Sequence, residues 1–77
     1  MSKYDINCLE QLDYLIRAKA TGQPSNLAAR LGISRRSVYN YIEFLKERGA
    51  PIAYSRRRVS FYYKEGGRFR FTFIKDS

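Results

Sequence analysis

Apolar residues near the start of the chain recur at helical spacing. They form a single stripe that consists of Cys8, Leu9, Leu12, Leu15 and Ile16. Asp5 is a suitable N-cap for this helix, and Asn7 followed by Glu10 has the spacing of a capping box. The pattern predicts a first helix over about 5–20, ended by Gly22. We expect Cys8 to pack within the stripe as a small apolar residue.

Two further helices follow, each bounded by residues that favour helix ends. Pro24 suits the first turn of a short helix that reaches about Leu31, where Gly32 breaks it. Ser34 is a suitable N-cap for a third helix, which continues to about Arg48 and stops at a glycine. The apolar stripe of the third helix, at i, i+3, i+4 and i+7, is Val38, Tyr41, Ile42 and Leu45.

After Pro51 the apolar period changes from helical to alternating. The segments 52–54 and 59–63 are rich in β-branched and aromatic residues and predict two strands joined by a basic turn. A second turn signal, with two glycines, comes at 65–67. An additional strand is predicted at 68–74. Strict alternation at its start places Phe69, Phe71 and Phe73 on one face and Arg68, Arg70 and Thr72 on the other.

The segment 27–42 has features that two helices joined by a tight turn require. Ala28 is small enough for a close crossing of the helices, and Gly32 tolerates the positive φ that the turn needs. Apolar residues at positions facing the core are Leu27, Leu31 and Ile33. The segment resembles a helix-turn-helix, and the third helix corresponds to the recognition helix of that motif.

The resemblance extends beyond the two helices. The run 45–56 resembles the end of the recognition helix and the first wing strand of the type 11 helix-turn-helix group. That group includes the N-terminal domains of DeoR-type, WYL-domain and biotin-repressor-like transcription regulators. The resemblance implies an α+β winged helix, with three helices followed by a two- to three-stranded antiparallel sheet. We expect a single domain over 1–77, with the helix-turn-helix at about 24–48 and the wing at about 52–63.

Charge is unevenly distributed along the chain. There are 15 Lys and Arg residues against 7 Asp and Glu residues, for a net charge of +8, and eleven of the basic residues come after residue 33. The cations cluster near turn signals, at 35–36, 56–58 and 68–70. Such clusters favour an acidic partner, and nucleic acid is the first candidate.

Several function classes are disfavoured by composition and length. With one cysteine and no histidine, neither an internal disulfide nor a His/Cys zinc site is expected. There is no Gly-rich phosphate loop, no membrane-length apolar run and no signal peptide, so we expect no catalysis, cofactor or membrane partner. A chain of 77 residues has no room for a separate sensor domain. We therefore expect no small-molecule effector, and we predict location in a reducing, prokaryotic or phage-type cytoplasm, associated with the nucleoid.

The resemblance places a set of polar side chains on the recognition helix. These are Ser34, Arg35, Arg36, Ser37, Tyr39 and Asn40. In a major groove, Arg35 or Arg36 is suited to read guanine and Asn40 to read adenine, each through a bidentate pair. Ser37 and Tyr39 are better suited to phosphate contacts, which accept many residue types. A phosphate contact or a solvated surface is the alternative for each base-reading residue.

Two further groups of residues are predicted to contact the DNA backbone. The wing contributes Arg56, Arg57 and Arg58 at its tip, where they would straddle a minor groove or its flanking phosphates. Ser25 and Asn26, at the start of the second helix, are predicted to clamp a further phosphate.

The leading functional hypothesis is a sequence-specific double-stranded DNA-binding protein that regulates transcription. Its size is typical of a phage or mobile-element regulator. The twelve aromatic residues either cover the helices, contribute to a homodimer that reads a near-palindromic site, or stack single-stranded bases. The alternative functions are a winged-helix module that binds a protein of the replication, recombination or transcription machinery, and binding of RNA or single strands.

Overall fold

Three helices are followed by two β-hairpins in the computed structural model, which describes residues 4–70 and 72–76. The elements are α1 (Ile6–Ala18), α2 (Pro24–Leu31), α3 (Arg35–Glu47), β1 (Ile52–Ser55), β2 (Ser60–Tyr63), β3 (Gly67–Arg70) and β4 (Thr72–Lys75). Strand β1 pairs with β2 and strand β3 with β4, both antiparallel, in two separate sheets. The predicted α+β winged-helix fold is confirmed. In the part of the chain that the structure describes, no helix is both long and apolar enough to cross a membrane.

The two ends of α1 are fixed by local hydrogen bonds. The Asp5 carboxylate accepts from the backbone amide of Asn7 at 2.8 Å, so Asp5 is the N-cap. The helix ends at Ala18 because Lys19 adopts the left-handed conformation (φ 55°) and its amide donates to the Ile16 carbonyl. The predicted end at about residue 20, with Gly22 as the stop signal, was therefore about two residues too late.

The helix-turn-helix boundaries agree with the sequence pattern. Pro24 begins α2, and Gly32 ends it in the left-handed conformation, with φ 69°. Ser34 caps α3 by accepting from the backbone amide of Ser37 at 3.0 Å. The four apolar residues predicted for the inner face of α3 are all buried.

The core lies where the three helices meet the first hairpin. Its large, fully buried apolar side chains come from all three helices and are Leu12, Ile16, Leu27, Val38 and Leu45. Phe61 and Tyr63 of β2 and Phe69 of β3 are buried against them, and Phe73 packs partly against the same cluster. Burial of these rings stabilises a small domain, because each buried aromatic side chain removes roughly 150–250 Å² of surface from contact with water. The hypothesis that the aromatic residues cover the helices is therefore confirmed for these four.

The predicted single strand at 68–74 was wrong. The chain reverses between β3 and β4, and Phe69 lies opposite Phe73 in the resulting hairpin. Residues that lie directly opposite in an antiparallel pair project from the same face, so the two phenylalanines share one face as the alternation predicted. The remaining member of that predicted face, Phe71, lies outside the described residues.

Buried polar side chains connect the wing to the helices. Thr21, in the α1–α2 loop, donates its backbone amide to the Ser60 hydroxyl at 3.0 Å, and its own hydroxyl accepts from the Phe61 amide at 2.9 Å. On α1, Asp13 is only 5% exposed and accepts from the Tyr63 hydroxyl at 2.6 Å and from the Phe69 amide at 2.9 Å. These bonds fix both hairpins relative to α1.

Candidate nucleic-acid interface

The first turn of α3 is held by two serines. The Ser34 hydroxyl accepts from the Ser37 amide and donates to the Ser37 hydroxyl at 2.9 Å. Ser34 thus uses its donor and one of its acceptor positions within the first turn, which gives it a structural role there. The Ser37 hydroxyl accepts that bond and keeps its own hydrogen for another acceptor.

Arg36 and Asn40 project from the outer side of α3. With about 3.6 residues per turn, positions 36, 40, 43 and 47 form a row opposite the buried stripe. Both Arg36 and Asn40 are exposed, and so are Arg35 and Tyr39 beside the row. The structure therefore places two of the three predicted base-reading candidates, Arg36 and Asn40, on one face, one helical turn apart, with the third, Arg35, beside them.

The outer row of α3 changes charge along its length. Its first half contains Arg36 and Asn40, whereas its second half contains the exposed carboxylates of Glu43 and Glu47. Glu43 is paired only loosely with Lys46, at 3.9 Å. Because carboxylates are repelled by phosphates, this gradient favours an approach to nucleic acid by the N-terminal turns of α3.

The wing presents three adjacent arginines at its turn. Arg56, Arg57 and Arg58 are exposed, and none forms an ion pair within residues 4–70 and 72–76. The Ser55 hydroxyl accepts from the Arg58 backbone amide at 3.1 Å and so shapes the turn. Three guanidinium groups with no acidic partner in the described chain are suited to phosphate binding.

Val59 belongs to the wing turn, although the sequence predicted it as a strand residue. It has φ 53° and is 41% exposed. Left-handed backbone costs roughly 1–2 kcal/mol for an L-residue, and a β-branched side chain adapts to it poorly. The wing tip thus contains local strain beside the arginine cluster.

Substitution of Val59 by glycine is expected to stabilise the protein by about 1 kcal/mol, because glycine adopts positive φ without a Cβ clash. In a domain of this size the melting temperature should rise by about 4–8 °C, as measured by circular dichroism. Val59→Ala is the matched control, since alanine keeps the Cβ and should not give this gain. If the two substitutions changed the melting temperature equally, the backbone at Val59 would not be strained.

The start of α2 has no side-chain cap. Gln23 occupies the N-cap position without a capping hydrogen bond, and Ser25 and Asn26 are exposed in the first turn. Nearby, Arg30 donates from its guanidinium to the Ala20 carbonyl at 2.8 Å and holds the α1–α2 loop. The predicted phosphate clamp therefore lies at an accessible helix start, and its binding role stays a prediction.

The predicted site residues form three groups in the structure. They lie on the first turns of α3, on the wing turn and at the start of α2, and no hydrogen bond or ion pair of the described residues joins the α3 group to the wing group. Sequence reasoning missed Asp13, Thr21 and Ser60, which hold the wing. Their polar side chains interrupt apolar patterns, but their partners are 39 to 56 positions away.

Three of the shifted pKa values belong to buried groups of the scaffold. Burial raises the pKa of the Tyr63 hydroxyl well above its usual range, and its hydrogen bond to the Asp13 carboxylate raises it further. Burial also raises the pKa of the Cys8 thiol and that of the Tyr41 hydroxyl, which accepts from the Asp5 amide. A buried thiol with a raised pKa is unreactive, which agrees with the packing role predicted for Cys8. Within residues 4–70 and 72–76, no group of His, Cys, Asp and Glu side chains is placed to hold a metal ion.

Comparison with known protein families identifies a match over most of the chain. A family model described as an HTH domain matches residues 9–64, from within α1 to the residue after β2. The match spans more than half of the chain and includes all of α2, α3 and the first hairpin. No curated protein and no solved structure matches the chain.

Proposed function

Because the chain belongs to the family of helix-turn-helix DNA-binding domains, we propose that it binds double-stranded DNA sequence-specifically as a small transcription regulator. The observation that carries the sequence-specific part is the exposed pair Arg36 and Asn40 on the outer face of α3. Arginine and asparagine are side chains that form bidentate pairs with guanine and adenine.

The proposed mechanism begins with the N-terminal turns of α3 in the major groove. Arg36 and Asn40 contact base edges, because only the major groove presents a distinct pattern of donors and acceptors for each base pair. Arg35, Ser37 and Tyr39 flank this row and contact phosphates, which fix the register of the helix without reading sequence. The acidic second half of the row stays clear of the backbone phosphates.

The wing supplies the second part of the proposed interface. Arg56, Arg57 and Arg58 lie along the phosphates of an adjacent minor groove, where a narrow A·T-rich groove attracts cations most strongly. Ser25 and Asn26 donate to a further phosphate at the start of α2. Ser34 acts indirectly in this mechanism, since it caps α3 and positions Ser37.

Two further parts of the proposal are not required by the interface. A homodimer would read a near-palindromic site, but the burial of Phe61, Tyr63 and Phe69 accounts for part of the aromatic content that suggested one. The prediction that the protein responds to no small-molecule effector and acts in the cytoplasm of a prokaryotic or phage-type host also stays a prediction.

Selection of duplexes from a random pool is expected to enrich one motif, and Asn40→Ala is expected to relax preference at one base pair of it. A lost bidentate pair corresponds to about 1–3 kcal/mol of discrimination, or roughly 5- to 150-fold between matched and mismatched duplexes. Binding of unrelated duplexes should change little, because phosphate contacts remain. Fluorescence anisotropy with the two duplexes at a fixed salt concentration measures the ratio.

Asn7→Ala is the matched control, because it removes the same side chain from an exposed position on α1. It should leave both the motif and the affinity unchanged. Enrichment of no duplex by the wild-type protein would refute sequence-specific recognition and favour the protein-binding module. An unchanged preference in Asn40→Ala would remove Asn40 from the base-reading set.

A further inference from the structure

A cleft of about 480 Å³ lies between α1, the C-terminal end of α3 and strand β3. Its apolar lining is formed by Tyr4, Ile6, Leu9, Phe44 and Phe69. Ile6 is 55% exposed, although it is a large aliphatic side chain in the first turn of a helix. The volume falls in the range of about 300–1,000 Å³ that is typical of ligand sites. We call this feature the α1 cleft.

Positive charge is in excess around the α1 cleft. Its lining includes Arg17, Arg48, Arg68 and Arg70, against the carboxylates of Glu10 and Asp13. The Asp13 carboxylate is already bonded to the Arg17 guanidinium at 3.0 Å and to two donors of the second and third strands. Arg68 and Arg70 are exposed and form no ion pair within the described ranges 4–70 and 72–76. The lining thus keeps an excess of positive charge, because Glu10 is the remaining carboxylate against Arg48, Arg68 and Arg70.

The α1 cleft lies away from the proposed DNA-reading turns. Arg48 follows Arg36 by twelve residues, which corresponds to roughly 18 Å along a helix axis. The hairpin that contains Arg68 and Arg70 is anchored at this far end, because Phe73 donates its amide to the Arg48 carbonyl at 3.5 Å and Phe69 packs on Phe44. The HTH-domain match ends before this hairpin. Arg68 and Arg70 therefore lie outside the matched region and are not among the residues assigned to the proposed contact with DNA.

The composition of the cleft distinguishes among possible occupants. A nucleic-acid backbone supplies phosphates but nothing that would cover Ile6 and its apolar neighbours. In a two-fold interface, a second copy of this chain would place its Arg68 and Arg70 near the same two arginines of the first copy. Like charges oppose that arrangement. A peptide that contains both carboxylates and an apolar side chain matches the arginines and the apolar lining of the cleft together.

We propose that the α1 cleft binds an acidic peptide segment of a partner protein. An aromatic or aliphatic side chain of the peptide packs against the apolar lining beside Ile6. Carboxylates of the same peptide pair with Arg68 and Arg70. This partner site is separate from the DNA interface, so the protein can hold a duplex and a protein at the same time. The proposal does not depend on sequence-specific DNA reading.

Selection from random peptides displayed on phage, against the full-length protein, tests the proposal. We expect enrichment of peptides that combine Asp or Glu with an aromatic or aliphatic residue. A synthetic copy of an enriched peptide should bind the double variant R68Q/R70Q at least about tenfold more weakly than wild type, since charge-assisted hydrogen bonds are lost. The variant I6S should weaken binding by a similar factor, because Ile6 contributes apolar contact.

The control is the wing variant R56Q/R57Q/R58Q, which removes three charges from another part of the surface and should retain peptide affinity. All substituted residues are exposed, so circular dichroism should report folded proteins. The proposal is overturned if no acidic peptide is enriched, or if binding is insensitive to R68Q/R70Q or to I6S. It is also overturned if R68Q/R70Q weakens duplex binding as much as the wing variant does, since these arginines would then belong to the DNA interface.

Discussion

Neutralisation of the three wing arginines is expected to weaken binding to every duplex by roughly 100-fold at about 0.15 M salt. Arg56, Arg57 and Arg58 have no acidic partner in the described chain, so each can neutralise one phosphate and release its counterions. In R56Q/R57Q/R58Q the slope of log affinity against log salt should become shallower by about 2.7, at about 0.9 per phosphate. Titration of matched and unrelated duplexes at several salt concentrations measures both quantities.

Two variants separate the charge of the wing from other effects. R56K/R57K/R58K keeps the three charges and should retain most of the salt slope. R68Q/R70Q removes two charges from the far hairpin and should leave duplex affinity nearly unchanged. If the wing variant and wild type had the same salt slope, the wing would not contact phosphates, and the proposed docking geometry would be wrong.

Removal of the Asp13 carboxylate is expected to lower the free energy of unfolding by about 2–6 kcal/mol, at about 1–3 kcal/mol for each buried donor left without an acceptor. In Asp13→Ala the buried Tyr63 hydroxyl and Phe69 amide lose their acceptor, and Arg17 loses its partner. The free energy of unfolding of a protein of this length is about 4–12 kcal/mol in total. The variant should therefore be largely unfolded near the melting temperature of the wild type. Urea unfolding followed by circular dichroism measures the difference.

The mechanism of this loss can be tested with three further variants. D76A removes an exposed carboxylate and should change stability by less than about 0.5 kcal/mol. D13N retains an oxygen acceptor but places an amide against Arg17, so an intermediate loss is expected. D13A/Y63F should be less destabilised than the sum of its single changes, because one orphaned donor has been removed. If D13A were as stable as D76A, Asp13 would not anchor the hairpins.

The helices and their order were predictable because their signals are local. A cap such as Ser34, a positive-φ glycine such as Gly32 and the four-residue inner stripe of α3 all act within a few positions of one another. The same pattern identified the outer face that contains Arg36 and Asn40. The end of α1 was misplaced because Lys19, and not a glycine, adopts the left-handed conformation, at a cost that local hydrogen bonds offset.

The second hairpin shows why an alternating pattern is ambiguous. The residues that lie opposite each other in the pairing of β3 with β4 differ by an even number of positions, as Phe69 and Phe73 do. An extended strand and such a hairpin therefore place the same side chains on the same faces. The burial pattern alone cannot distinguish them, and only the pairing of β3 with β4 identifies the reversal.

The sequence by itself determined the helical core, the first hairpin, the outer face of α3 and the clustering of positive charge. These features depend on periodicity, caps and composition, which are properties of residues close together in the sequence. Only the tertiary structure decided how the hairpins attach to α1. Asp13 meets Tyr63 and Phe69 across 50 and 56 positions, and Thr21 meets Ser60 across 39. Local sequence patterns do not predict hydrogen-bond partners at such separations, because the paired residues become neighbours only when the apolar core brings their elements together. The same packing places Arg68 and Arg70 at the α1 cleft together with Arg17 and Arg48.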